Sequence, residues 1–174
     1  MAAAPDGIDL DRHRDAEASA RTVWARRGFF GLLVAIVVVA LAGVFGQRQT
    51  TSRADATAAT LRVEAPTRVR GGLFFQGRFT VEANERLDHA TLVLDEGWTE
   101  QLSVNTIAPA PEAEESRDGR LALDYGALEP GETLVAHLQF QVNPASLGRR
   151  SQAVRLADGE RVLAEVDRTI TVFP

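Results

Sequence analysis

The chain has 174 residues, enough for one folded domain beside a membrane segment, and no cysteine, which excludes disulfides, thiolate chemistry and cysteine-held metal clusters. Its 19 basic residues, all arginine, stand against 24 acidic ones, for a net charge of −5. The acidic excess lies wholly beyond residue 47, where 14 arginines meet 19 acids, and such a surface is a poor match for nucleic acid.

Residues 1–27 are polar and Ala-rich, with five arginines balanced by five acids and no sustained apolar period. They read as a disordered cytoplasmic tail, with helix building up from Ala16. Residues 28–46, GFFGLLVAIVVVALAGVFG, hold no charge. As a helix they would rise about 28 Å, close to the hydrocarbon thickness of a bilayer, and a helix satisfies its own backbone in lipid. This run reads as one transmembrane helix. Five arginines precede it, and Arg48, Arg53 and Arg62 follow within a comparable distance, which favours a cytoplasmic N-terminus and an extracytoplasmic C-terminal domain. Trp24, Phe29, Phe30 and Phe45 suit the two interfaces. The rival reading is a cleaved signal peptide, since Ala40-Leu41-Ala42 resembles a cleavage site; cleavage after Ala42 would leave the domain exported but unanchored.

At helical spacing Gly28, Gly31, Ala35, Ala42 and Gly46 fall on one side, a face on which a second helix, including that of another copy, packs closely. Residues 47–60 are small, polar and aperiodic, and read as a stalk.

From residue 61 to 174 the period becomes two. Phe75, Gly77, Phe79, Val81 and Ala83 alternate with polar neighbours. So do Ala90, Leu92 and Leu94; Leu121, Leu123 and Tyr125; Leu134 to Val142; and Val162 to Val172. Strands with one buried face give this pattern. Arg168 falls on the apolar side, where a strand-end position would let its head reach water. Turns are marked by Gly71-Gly72, Asp118-Gly119, Pro130-Gly131 and Asp158-Gly159, the last a two-residue hairpin. The expected fold is mainly β: an Ig-like antiparallel sandwich of seven to eight strands after a single helix, lacking the cysteine pair and core tryptophan of antibody domains.

Three stretches carry a family resemblance: VEAPTRVRGG (63–72), FTVEAN (79–84) and LEPGETLVAHLQFQV (128–142). They resemble bacterial extracytoplasmic Ig-like modules of the CARDB type over residues 61–143. The whole layout is similar to small single-pass actinobacterial membrane proteins without an assigned activity. The resemblance implies an exported adhesion or assembly module of the cell envelope, and it supplies no catalytic residue.

His13, His89 and His137 are far apart; His89 and His137 on neighbouring strands, with Asp88 or Asp124, would make a metal site, whereas solvated strand positions need no ligand. Ser103, Ser116, Ser146 and Ser151 sit in no nucleophile elbow, and a hydrolase would need one of them beside His137 and an acid. Glu112, Glu114 and Asp118, in the acidic stretch 109–119, fit a calcium loop only loosely and otherwise read as a solvated loop. No cofactor is called for. Trp98 lies where alternation has ended, so it is either a binding hot spot that stacks on a partner or sugar, or a plug folded back over the open end of the sandwich. Arg149 and Arg150, in a connection, are the other candidates for meeting a partner. The expected function is a membrane-anchored interaction module that assembles with another envelope or membrane protein without catalysis; the alternatives are a cell-wall carbohydrate binder and a hydrolase.

Overall fold

The computed structural model describes residues 12–41 and 47–174, divided into an N-terminal helical unit and a C-terminal β unit. Helix α1 spans Arg12–Leu41. It starts about one turn ahead of Ala16, further into the presumed tail than the sequence suggests. Its Thr22–Leu41 portion is long and apolar enough to cross a bilayer, a test that a membrane span and a signal sequence both meet. From Phe29 to Leu41 it has no polar residue, so no face is set aside for water. Gly28, Gly31 and Ala35 lie on it, with open space at both glycines. Ala42 and Gly46 lie outside the described residues.

The β unit holds thirteen strands: β1 (Gln49–Asp55), β2 (Ala59–Pro66), β3 (Arg68–Arg70), β4 (Phe74–Ala83), β5 (Ala90–Leu94), β6 (Leu102–Ala108), β7 (Ala113–Arg117), β8 (Arg120–Asp124), β9 (Thr133–Val142), β10 (Gly148–Ser151), β11 (Val154–Asp158), β12 (Arg161–Val166) and β13 (Thr169–Phe173). One sheet runs β1-β2-β4-β9-β6, a second β12-β11-β5-β8-β7, and a third β10-β13-β3. Every pairing is antiparallel except β3 with β13. A single core draws on all three sheets, with Leu61, Phe79 and Phe140 from the first, Leu92, Leu123 and Leu156 from the second, and Ile170 and Val172 from the third.

The alternating runs form as their pattern dictates. In β4 Phe75, Gly77, Phe79, Val81 and Ala83 face inward; in β9 Ala136, Leu138, Phe140 and Val142 do. Three expectations are corrected. The strands outnumber seven or eight, because several short or polar segments pair through their backbones. The supposed stalk is one of them: Gln49–Asp55 pairs along its whole length with β2. The acidic stretch is another: Ala113–Arg117 is an edge strand, joined to β8 by a turn in which Asp118 and Gly119 both have positive φ. The last apolar run, expected as one strand, divides after Val166. β12 stays in the second sheet, β13 joins the third, and Val162, expected inside, is exposed.

The connection after β8 depends on Gly126. It has φ +75°, its N–H donates to Asp124 Oδ1 at 2.8 Å, and an added Cβ would meet the Glu112 carboxylate at 2.6 Å. Glu112 can swing aside, so the left-handed backbone sets the loss. Gly126→Ala is expected to lower stability by about 1 kcal/mol, measured by urea unfolding.

Candidate functional site

The second and third sheets meet at a seam, and three of the side chains the sequence singled out, Trp98, Arg150 and Arg168, lie along it. After β5 the chain turns through a short 3₁₀ segment, Glu96–Trp98, which drops the Trp98 indole onto the inner face of the first sheet. It is fully buried, edge-on to Phe79 at 5.2 Å between ring centroids and tilted against Phe140 at 5.1 Å. Its Nε1–H donates to the Gln152 carbonyl at 3.1 Å. The turn fits because residue 97 is glycine: a Cβ there would lie 1.7 Å from the Ser151 carbonyl oxygen. Trp98 is therefore a core residue and cannot stack on a ligand. This overturns its reading as a binding hot spot and follows the other, an indole folded back into the sandwich; it reaches the core from a 3₁₀ turn rather than from a strand.

Gln152 continues the seam. Its own N–H donates to the Arg168 carbonyl at 2.8 Å. Arg168 sits at the switch from β12 to β13 and does not reach water. It is buried, with Nη1 donating to the carbonyls of Thr50 and Val63 at 3.0 and 2.9 Å and Nη2 to Ala65 at 2.5 Å. Burial pulls its pKa down from the ordinary arginine value, though guanidinium keeps its proton in proteins. Arg168 thus ties the third sheet to the first two strands of the first sheet.

Arg150 is also built in. Its Nη1 donates to the Glu100 carbonyl at 3.2 Å and to Ser146 Oγ at 2.7 Å, and its Nη2 to Gln101 Oε1 at 3.0 Å. These bonds hold Gln101, whose φ is +56°, against the β9–β10 connection. Arg150 is therefore a clamp, a correction to its reading as a partner-binding residue. Arg149 is exposed, with Nη2 3.4 Å from Thr169 Oγ1, and remains open to a partner.

The remaining candidates do not converge. His89 Nδ1 lies 3.2 Å from Asp124 Oδ2, while His137 Nδ1 faces Gln76 Nε2 at 3.3 Å on the other sheet. Among the described residues no three His, Asp or Glu side chains gather as a metal site. Ser146 is taken up by Arg150, and Ser151 donates to Asp95 Oδ2 at 3.1 Å.

Asp95 gives the seam a pH dependence. Burial pushes its pKa up, but the Arg120 Nε–H at 2.6 Å and the Ser151 hydroxyl outweigh burial and hold it below the usual 3.8. A carboxylate depressed in the folded state adds stability above its unfolded pKa and loses it as pH falls through the folded one. Wild type is expected to lose stability as pH drops below about 3.8, and Asp95→Asn to lose less over that window, read from urea midpoints at stepped pH.

No protein-family model matches this chain, and no curated protein matches it either. Solved structures do. The CARDB domain of a Pyrococcus furiosus protein, solved in complex with di-metal ions, is 14% identical, with 71% of this chain and 96% of that one covered and a TM-score of 0.41. The CaCohA2 domain of Clostridium acetobutylicum is 12% identical, covering 68% and 92%, with a TM-score of 0.45. A non-cellulosomal cohesin from Archaeoglobus fulgidus is 14% identical, covering 62% and 86%, with a TM-score of 0.37. At these identities the likeness concerns the fold alone. The domain is an Ig-like β-sandwich. Its strand pairing and single shared core carry that statement directly.

Proposed function

We propose that this protein is a membrane-anchored, extracytoplasmic interaction module of the bacterial cell envelope, accessory to a larger assembly and without catalysis of its own. The observation that carries the reading is the chain order: an apolar helix ending at Leu41 is followed by a sandwich whose first strand begins at Gln49. Some charged groups on the sandwich are paired, as Arg53 is with Asp55, Arg86 with Glu129 and Arg155 with Glu165. The arginines ahead of the helix favour a cytoplasmic N-terminus, and Gly28, Gly31 and Ala35 offer a packing face to a second helix. The carbohydrate-binding alternative drew on Trp98 together with the acidic stretch 109–119; it loses Trp98 to burial, and Ala113–Arg117 of that stretch is an edge strand.

Proximity labelling from the full chain in its native membrane is the test. One partner enriched over a control that keeps α1 but carries an unrelated domain supports the reading; equal labelling in both counts against it. Intact mass of the membrane-extracted protein tests the anchor, which fails if residues 1–42 are missing.

A further inference from the structure

One end of the sandwich is apolar and basic. Of the five large apolar side chains that the described residues of the domain expose, four lie there: Leu73, Phe74, Leu147 and Phe173, each between 45% and 55% exposed. The backbone brings them together. The Gly71 N–H donates to the Phe173 carbonyl at 2.8 Å, and Gly72 to Val142 at 3.0 Å. Gly148 pairs with Val172, which sets Leu147 beside the same edge. Exposed apolar side chains gathered in one place, rather than scattered singly, mark a surface that meets something other than water.

Charge is sorted in the same way. The residues nearest this end, 65–76, 139–150 and 170–174, include no acidic residue, although the chain as a whole is acidic. Arg68, Arg70 and Arg149 are exposed here. The acids beside these segments are paired: Glu100 has its carboxylate 4.0 Å from Arg150, Glu64 faces Arg78 at 3.8 Å, and Asp95 meets Ser151 at 3.1 Å and Arg120 at 2.6 Å. Apolar rings amid arginines match a bilayer interface, where rings enter the headgroup layer and arginines meet lipid phosphates.

The chain also comes into the domain at this end. Gln47 shares a hollow with Phe74, and Gln49 pairs with Pro66 and donates from Nε2 to the Gln76 carbonyl at 3.3 Å. Only residues 42–48 separate Leu41 from Gln49, a reach of at most about 29 Å.

We infer that this end of the sandwich rests on the lipid headgroups of the membrane that holds the chain, with Leu73, Phe74, Leu147 and Phe173 as its interfacial contacts. The inference rests on α1 being a retained anchor. Such a contact would hold the domain in a fixed stance and turn its far end toward partners. That far end, at Glu85, lies beyond the ten residues of β4, about 33 Å away.

The absence of cysteine makes the test direct. Single variants Phe74→Cys, Leu147→Cys, Phe173→Cys, Glu85→Cys and Val37→Cys of the full chain carry an environment-sensitive fluorophore in phosphatidylcholine–phosphatidylglycerol vesicles. Nitroxide quenchers are placed on the lipid headgroup or deep in the acyl chain. The three end positions are expected to lose emission to the headgroup quencher, Glu85→Cys to keep it, and Val37→Cys to lose it to the deep quencher. If Val37→Cys is quenched while the end positions behave like Glu85→Cys, the lipid contact is wrong and the anchor stands. If Val37→Cys escapes the deep quencher, the anchor falls and the contact with it. Unquenched end positions that cross-link between copies would assign the patch to a second chain and overturn the lipid contact.

Discussion

Trp98→Ala is expected to destabilise the domain by about 4 kcal/mol, enough to leave a marginal sandwich largely unfolded. The indole sits in the middle of an aromatic group in which Phe75 stacks on Phe140 at 5.1 Å and Trp98 bridges Phe140 to Phe79. Truncation removes the largest fully buried side chain, leaves a void between two sheets that cannot collapse independently, and strips the Gln152 carbonyl of its donor. Trp98→Phe keeps most of the apolar volume and loses the N–H, so roughly half that effect is expected. Urea unfolding of the full chain in micelles, followed by far-ultraviolet circular dichroism, measures both. A binding tryptophan would behave in the opposite way, with unfolding unchanged and partner capture lost. Unaltered midpoints for Trp98→Ala would therefore overturn the placement of the indole and restore its role at the surface.

The sequence makes legible those parts of the fold in which one face is wet and the other dry. β4 and β9 announce themselves because Phe75, Phe79, Phe140 and Val142 alternate with Gln76, Arg78, Gln139 and Gln141. β1 does not, because Gln49–Asp55 is held by its ladder to β2 while its side chains are mostly exposed, and backbone pairing leaves no apolar period. β7 is hidden for the same reason, with Glu114 and Glu115 on an edge strand. The Asp158-Gly159 hairpin is found, but the pairing of Asp158 with Arg161 makes Gly159-Glu160 the two-residue loop.

The candidate sites were harder to read because their partners are distant in sequence. Arg150 meets Glu100 and Gln101 some fifty residues away, and no local pattern separates such a clamp from a solvated arginine pair. Trp98 has no period to follow, since a short 3₁₀ turn after a strand points its side chain by local geometry alone. The apolar end left a trace in the sequence, where Leu73, Phe74 and Phe75 follow Gly71-Gly72. Alternation accounts for Phe75, and the structure shows that Leu73 and Phe74 are left outside.

Arg168 carries the second large expectation. Period two assigned it to the core and charge assigned it to water; the structure follows the period, because three carbonyls from β1 and β2 take up the two Nη groups, while the buried Nε–H has no partner. Arg168→Ala removes those charge-assisted bonds and opens a void where β12 hands over to β13, and a loss of about 4 kcal/mol is expected. Arg168→Met separates the two effects. It fills the volume of the stem without donors, so about half the loss should return if packing and hydrogen bonding share the work. Arg168→Lys keeps the charge but loses the planar fork that spans carbonyls on two strands, and should fall between methionine and wild type. In a Trp24→Phe background Trp98 is the single tryptophan, and it reports the seam one hydrogen-bonded step away, through Gln152. Its emission is expected to shift to the red in Arg168→Ala below the main unfolding transition, as the seam opens before the sheets part. If Arg168→Met instead equals or exceeds wild-type stability, the buried guanidinium is a net burden. In that case the coupling between the third sheet and β1–β2 comes from apolar contact alone.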